Sequence, residues 1–88
     1  MKVSYTEDRE MTIVELSGNI LAGDSQEIIS LEEKLRSSDI FQIIFDMKYV
    51  PYINPRIAED FFGMVDRLEN SGLRIRFNYK LRHRYRRY

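Results

Sequence analysis

Residues able to do chemistry stand at two places in this chain: Asn54-Pro55-Arg56 with Glu59-Asp60 just behind, and the closing run Lys80-Leu81-Arg82-His83-Arg84-Tyr85-Arg86-Arg87-Tyr88. Adjacent carboxylates are raw material for general acid–base catalysis. Glu59 and Asp60, however, fall near the start of a helix that Asn54-Pro55 opens. There the helix dipole favours negative charge by about 0.3–1 kcal/mol, so they read as helix-stabilising charges. His83 is the single histidine and has no carboxylate near it in sequence, which makes it a solvated or structural residue. With no cysteine, thiolate nucleophiles, thiolate metal sites and disulfides are excluded. Gly18, Gly23, Gly63 and Gly72 are too scattered for a phosphate-cradling loop, and no serine lies in a nucleophile motif. The expectation is a chain without catalytic residues, cofactor or metal.

The closing run interleaves cations and aromatics, a composition that neutralises phosphates and stacks on bases. Formal charge is zero over 88 residues, yet Arg74 to Tyr88 contain only basic charges and carry +7, leaving −7 on the rest. Such a split suits either an anionic partner or a tail folded back on an acidic body. Nucleic-acid binding through Lys80, Arg82, Arg84, Arg86 and Arg87 is therefore an alternative function of a different class.

Which elements position these residues? Hydrophobic residues make up 43% and charged ones 32%, the mixture of one small globular domain. The apolar runs are too short for a membrane span of about 20 residues, and Met1 to Glu10 lack the apolar centre of a secretory signal. The expected location is cytoplasmic. Val3 and Tyr5 alternate with polar residues as in a half-buried strand, Glu7-Asp8-Arg9-Glu10 makes a polar turn, and a second strand runs from about Met11 to Ser17. Gly18 to Gly23 reads as loop despite Ile20 and Leu21. Asp24 with Glu27 predicts a capping box, and Ile28, Leu31 and Leu35 predict a helix over about Ser25 to Ser37. Phe41 to Phe45 predicts a central strand covered on both faces. Asn54 as cap and Pro55 at the first helical position open a second helix, spaced by Ile57, Phe61, Met64, Val65 and Leu68 and stopped by Gly72. Phe62 falls off that apolar face and is expected to be exposed for a partner. Alternation from Leu73 to Tyr85 predicts a last strand, and one persisting to Tyr85 needs a partner along its length, since strands average about 5–6 residues. Strand, strand, helix, strand, helix, strand implies an α/β fold with a mixed, mostly parallel sheet: an antiparallel first pair, then two right-handed crossovers.

That order, with Val14-Glu15-Leu16-Ser17-Gly18 closing a strand and Ile43 to Val50 leading into Tyr52-Ile53-Asn54, resembles the STAS domain family, the bacterial anti-sigma-factor antagonists and their relatives. The resemblance covers about residues 3 to 79. In that family a strand ending in Asp-Leu is followed by Val, a hydrophobic pair, and Asp-Ser-Ser-Gly opening a helix. Here Asp46-Met47, Val50 and Tyr52-Ile53 match, while Asn54 falls on the motif's Asp, Pro55 on the serine that partner kinases phosphorylate, Arg56 on the next serine and Ile57 on the glycine.

The resemblance implies a non-enzymatic interaction module in bacterial partner switching, with an anti-sigma-type kinase or phosphatase as partner. Use as an accessory subunit of a membrane transporter is known in the family, but no residue here selects it. Pro55 has no hydroxyl, and residues 47 to 70 contain no Ser or Thr, so the phosphoswitch is absent. Tyr52, Asn54, Pro55, Arg56, Glu59 and Phe62 then form a constitutive docking surface. STAS domains usually continue with a further helix, strand and helix, where this chain has nine residues beyond Tyr79. The expectation is a C-terminally truncated STAS-like domain over residues 1–79 with a basic tail or strand extension over 80–88, self-associating by pairing or exchange of the strand from Leu73 to Tyr85.

Overall fold

The computed structural model describes residues 1–9 and 11–79. β1 (Lys2–Asp8) and β2 (Met11–Ser17) form the antiparallel hairpin, with Val3 opposite Leu16 and Tyr5 opposite Val14, so the apolar positions of both strands share one face. The turn is shorter than the polar run suggests. Glu7 and Asp8 stay in the ladder opposite Thr12 and Met11, and Arg9 begins the reversal at φ 57°. Two-residue hairpin loops need such positive φ values to match the strand twist.

Beyond β2 come α1 (Ser25–Ser37), β3 (Gln42–Tyr49), α2 (Pro55–Asn70) and β4 (Arg74–Asn78). β3 pairs in parallel with β2 and with β4, giving the order β1-β2-β3-β4. Each crossover steps the same way across the sheet, and right-handed connections then put both helices on one face. Val14, Leu16, Ile43, Phe45 and Met47 on that face meet Ile28, Leu31 and Leu35 of α1 and Ile57, Phe61, Met64, Val65 and Leu68 of α2. Phe45 lies at the centre, edge-on to Phe61 at 5.5 Å and stacked on Phe77 at 5.5 Å.

β3 is not covered on both faces, contrary to its continuous apolar sequence. Ile43 and Phe45 are fully buried, whereas Ile44 is half-buried in a row Thr6–Ile13–Ile44–Arg76 across the open face. Phe41 lies outside the strand and is exposed, with the Arg74 guanidinium 5.8 Å from its ring. Asp24 does not form the expected capping box with Glu27. Its carboxylate turns back to accept the Leu21 N–H at 2.8 Å, closing a 3-10 turn at Ala22–Asp24. Gly72 takes the expected position after α2 at φ 105°, its N–H donating to the Glu69 carbonyl at 3.0 Å. β4 is described as far as Asn78, and Lys80, Arg82, Arg84, Arg86 and Arg87, with the rest of the expected long strand, lie outside the described residues. No helix among the described residues is long and apolar enough to cross a membrane.

Candidate docking surface at the tip of the second helix

Where β2 and β3 end, their pairing does not. The Gly18 N–H donates to the Tyr49 carbonyl at 2.9 Å, the Ile20 N–H to the Tyr52 carbonyl at 3.0 Å, and the Asn54 N–H to the Ile20 carbonyl at 2.8 Å. Ile20 and Ile53 face each other in a parallel bridge, and both are buried. The segment from Gly18, which reads from sequence as loop, is thus zipped by main-chain bonds to residues 49–54 and pinned by Ile20 and Ile53. Gly18 permits the departure from β2 at φ 83°.

This ladder fixes the start of α2. The Asn54 side-chain oxygen accepts the Arg56 N–H at 2.9 Å, and its carbonyl accepts the Ala58 N–H at 2.9 Å. Pro55 supplies the first helical residue with no N–H to satisfy. Ile57 is buried, which turns Pro55, Arg56 and Glu59 outward, and Tyr52 is 45% exposed. Phe62 is the exception among the expected surface residues. It is 5% exposed, packed edge-on to Phe61 at 5.2 Å and 6.0 Å from Phe77. α2 lies over both β3 and β4, so its apolar stripe must be wide enough to hold both Phe61 and Phe62.

Two solved structures share this arrangement. The crystal structure of Mglu superposes with a TM-score of 0.75 at 19% identity, covering 90% of this chain and 20% of Mglu. SpoIIAA, a Bacillus cell fate determinant solved in its phosphorylated form, superposes with a TM-score of 0.64 at 14% identity, covering 84% of this chain and 68% of SpoIIAA. The chain has a STAS-like fold. It spans a fifth of the length of Mglu and about two thirds of SpoIIAA. No family model matches the chain, and no curated protein matches it.

In this STAS-like frame the α2 tip borders features that local sequence patterns do not reveal. Leu21, 48% exposed, follows the zipped Ile20, and Ile29 of α1, 49% exposed, lines a groove of ≈260 Å³ between the helices. Ile28 also lines that groove, as do Glu59, Asp60, Glu32 and Arg67. Glu32 accepts from Arg67 at 2.7 and 3.0 Å and from Arg36 at 2.9 and 3.1 Å, a double fork that clamps α1 to α2. The Arg67 hydrogen bonds, followed by those of Arg36 and the charge of both guanidiniums, hold its carboxyl below the ordinary range against the opposing effect of burial. Arg67 is thereby held chiefly by Glu32, with the Asp60 carboxylate adding to the negative charge around it. Glu59 and Asp60 stand beside each other at the mouth without a third ligand, and no group of three His, Asp or Glu side chains among the described residues is placed to hold a metal. The tip therefore offers a cationic fork, two carboxylates and exposed apolar side chains on a fixed backbone, a surface suited to contact with another macromolecule.

Proposed function

We propose that this chain is a non-catalytic, anti-sigma-factor antagonist-like docking module of the bacterial cytoplasm. It engages a regulatory protein, an anti-sigma-type kinase or phosphatase, through Tyr52, Asn54, Pro55, Arg56 and Glu59. The observation that carries this reading is the α2 tip itself: its backbone is zipped to the 18–20 segment, while Pro55 and Arg56 stay exposed. SpoIIAA is solved phosphorylated; here the residue that the family motif places at the acceptor is Pro55, and residues 47 to 70 hold no hydroxyl of Ser or Thr. The contact is accordingly not switched by Ser or Thr phosphorylation at this tip, and Arg56 offers a planar fork to a carboxylate of the partner.

Co-purification from the native cell with wild-type protein and the Arg56→Asp variant tests this. A protein retained by the wild type and lost with Arg56→Asp, at unchanged thermal stability, is the expected result. A retained set identical for both proteins would refute the assignment, and so would salt-sensitive capture of nucleic acid that ends when residues 80–88 are removed.

A further inference from the structure

Arg56 occupies the first turn of α2, where the helix dipole disfavours a cation. Asp60 is four residues on and Glu59 three, spacings that place all three side chains as neighbours on the helix surface. Yet Arg56, Glu59 and Asp60 take part in none of the ion pairs among the described residues, which join Met1 to Asp24, Glu32 to Arg36 and Arg67, and Asp46 to Lys48. A fork and two carboxylates thus stand one helical turn apart outside every ion pair among the described residues, with Asp60 also adding its charge to the field around Arg67. Ile29 lines one groove with Glu59 and Asp60, and Leu21 and Tyr52 belong to the zipped backbone that leads into α2; each is 45 to 49% exposed, three of the five large apolar side chains that the described residues leave exposed. Exposed apolar side chains rimmed by charge mark interaction sites.

We propose that this end of the molecule pairs with a second copy of the chain about a two-fold axis, Arg56 of each copy meeting Glu59 and Asp60 of the other. An isologous interface requires that one patch be complementary to itself, residue i meeting j while j meets i. A helix carrying a cation and two anions one turn apart meets that requirement when its mate runs antiparallel, because the offset that forms one set of ion pairs forms the other. Leu21, Ile29 and Tyr52 then supply the apolar part of the contact. The pairing covers the surface assigned above to the regulatory partner, so self-association and partner docking exclude one another. Free chain concentration thereby takes the place of a covalent modification in setting how much docking surface is available.

Charge exchange in the full chain, read by sedimentation velocity over a range of concentrations and salt, tests the proposal. Wild type is expected to form a dimer that weakens with salt. Arg56→Glu alone and the Glu59→Arg/Asp60→Arg double variant should each sediment as monomers, with dissociation constants raised at least about tenfold by like charges facing each other. An equimolar mixture of the two should recover a dimer. A wild type that stays monomeric at every concentration overturns the proposal, as does a dimer that survives both exchanges, the behaviour of association through the β4 edge, or a mixture that stays monomeric although both variants keep wild-type circular dichroism. Should charge reversal unfold the helix tip, Arg56→Gln serves instead: its self-association must be weaker than wild type and less sensitive to salt. Arg56-dependent partner capture together with a monomeric wild type would leave the proposed function standing and remove this inference alone.

Discussion

Replacing Asn54 by alanine isolates the contribution of the cap that sets the α2 tip. The lost interaction is the 2.9 Å bond from the Arg56 N–H to the Asn54 side chain. The main-chain bonds from the Asn54 N–H to Ile20 and from the Ala58 N–H to Asn54 do not involve the side chain and persist. The loss is therefore confined to one orphaned helix N–H, about 1 kcal/mol within the usual span of about 0.5–2. For a domain of this size each kcal/mol shifts Tm by roughly 4–8 °C. Asn54→Asp should recover the loss at neutral pH, since a carboxylate accepts the same bond and sits at the positive end of the helix dipole. The folded state lowers the pKa of such an Asp, so its contribution is present above the unfolded value of about 3.9 and lost as pH falls through the folded value. The assay is thermal unfolding by far-UV circular dichroism, at neutral pH and at about pH 3, below the unfolded Asp value. An alanine variant as stable as wild type, or an aspartate variant no better than alanine at neutral pH, would refute the capping argument.

Phe62→Ala should cost about 3–5 kcal/mol of stability as a truncated core aromatic, seen as a large drop in denaturant midpoint; a near-neutral effect would mean that Phe62 is not packed between Phe61 and Phe77. Thr12 is 3% exposed and its hydroxyl finds no hydrogen-bond partner among the described residues, so Thr12→Val, which keeps the shape, should stabilise by about 1 kcal/mol in the same measurement. Glu32→Gln should lower Tm at neutral pH. Because the folded state depresses the Glu32 carboxyl, wild type loses this advantage as pH falls through and below the ordinary carboxylate range, and the two melting curves should converge there.

How much of this was legible in the sequence differs from element to element. The spans of β2 and of α1 follow from alternation and from helical spacing, with Gly18 as an unambiguous stop, and Asn54-Pro55 and Gly72 bracket α2 through capping chemistry alone. Glu7 and Asp8 carry the composition of a turn yet belong to the hairpin ladder, because charged residues on an edge strand differ from a turn only through the strand opposite. Asp24 and Glu27 carry the capping-box spacing, but the carboxylate is used by the preceding turn. Phe62 seemed off the apolar face because the width of that face depends on how many strands the helix covers, a tertiary quantity. At the candidate site, Tyr52, Asn54, Pro55, Arg56 and Glu59 come from the STAS-like motif and not from any local period, and the outward direction of Pro55, Arg56 and Glu59 goes with the burial of Ile57. Leu21, Ile29 and the Glu32–Arg67 clamp come from neither, since the clamp joins residues 35 positions apart that no local period relates.

The zipped backbone at residues 18–20 and 49–54 has a thermodynamic consequence for recognition. Freezing one residue's backbone costs roughly 1–2 kcal/mol, and here that cost is met when the chain folds and not when it meets another molecule. Binding at the tip should accordingly proceed as rigid-body encounter with little induced fit. Variants of the contact residues should then express themselves mainly in how long a complex survives, with capture rates nearly constant apart from the salt-sensitive steering that Arg56, Glu59 and Asp60 provide.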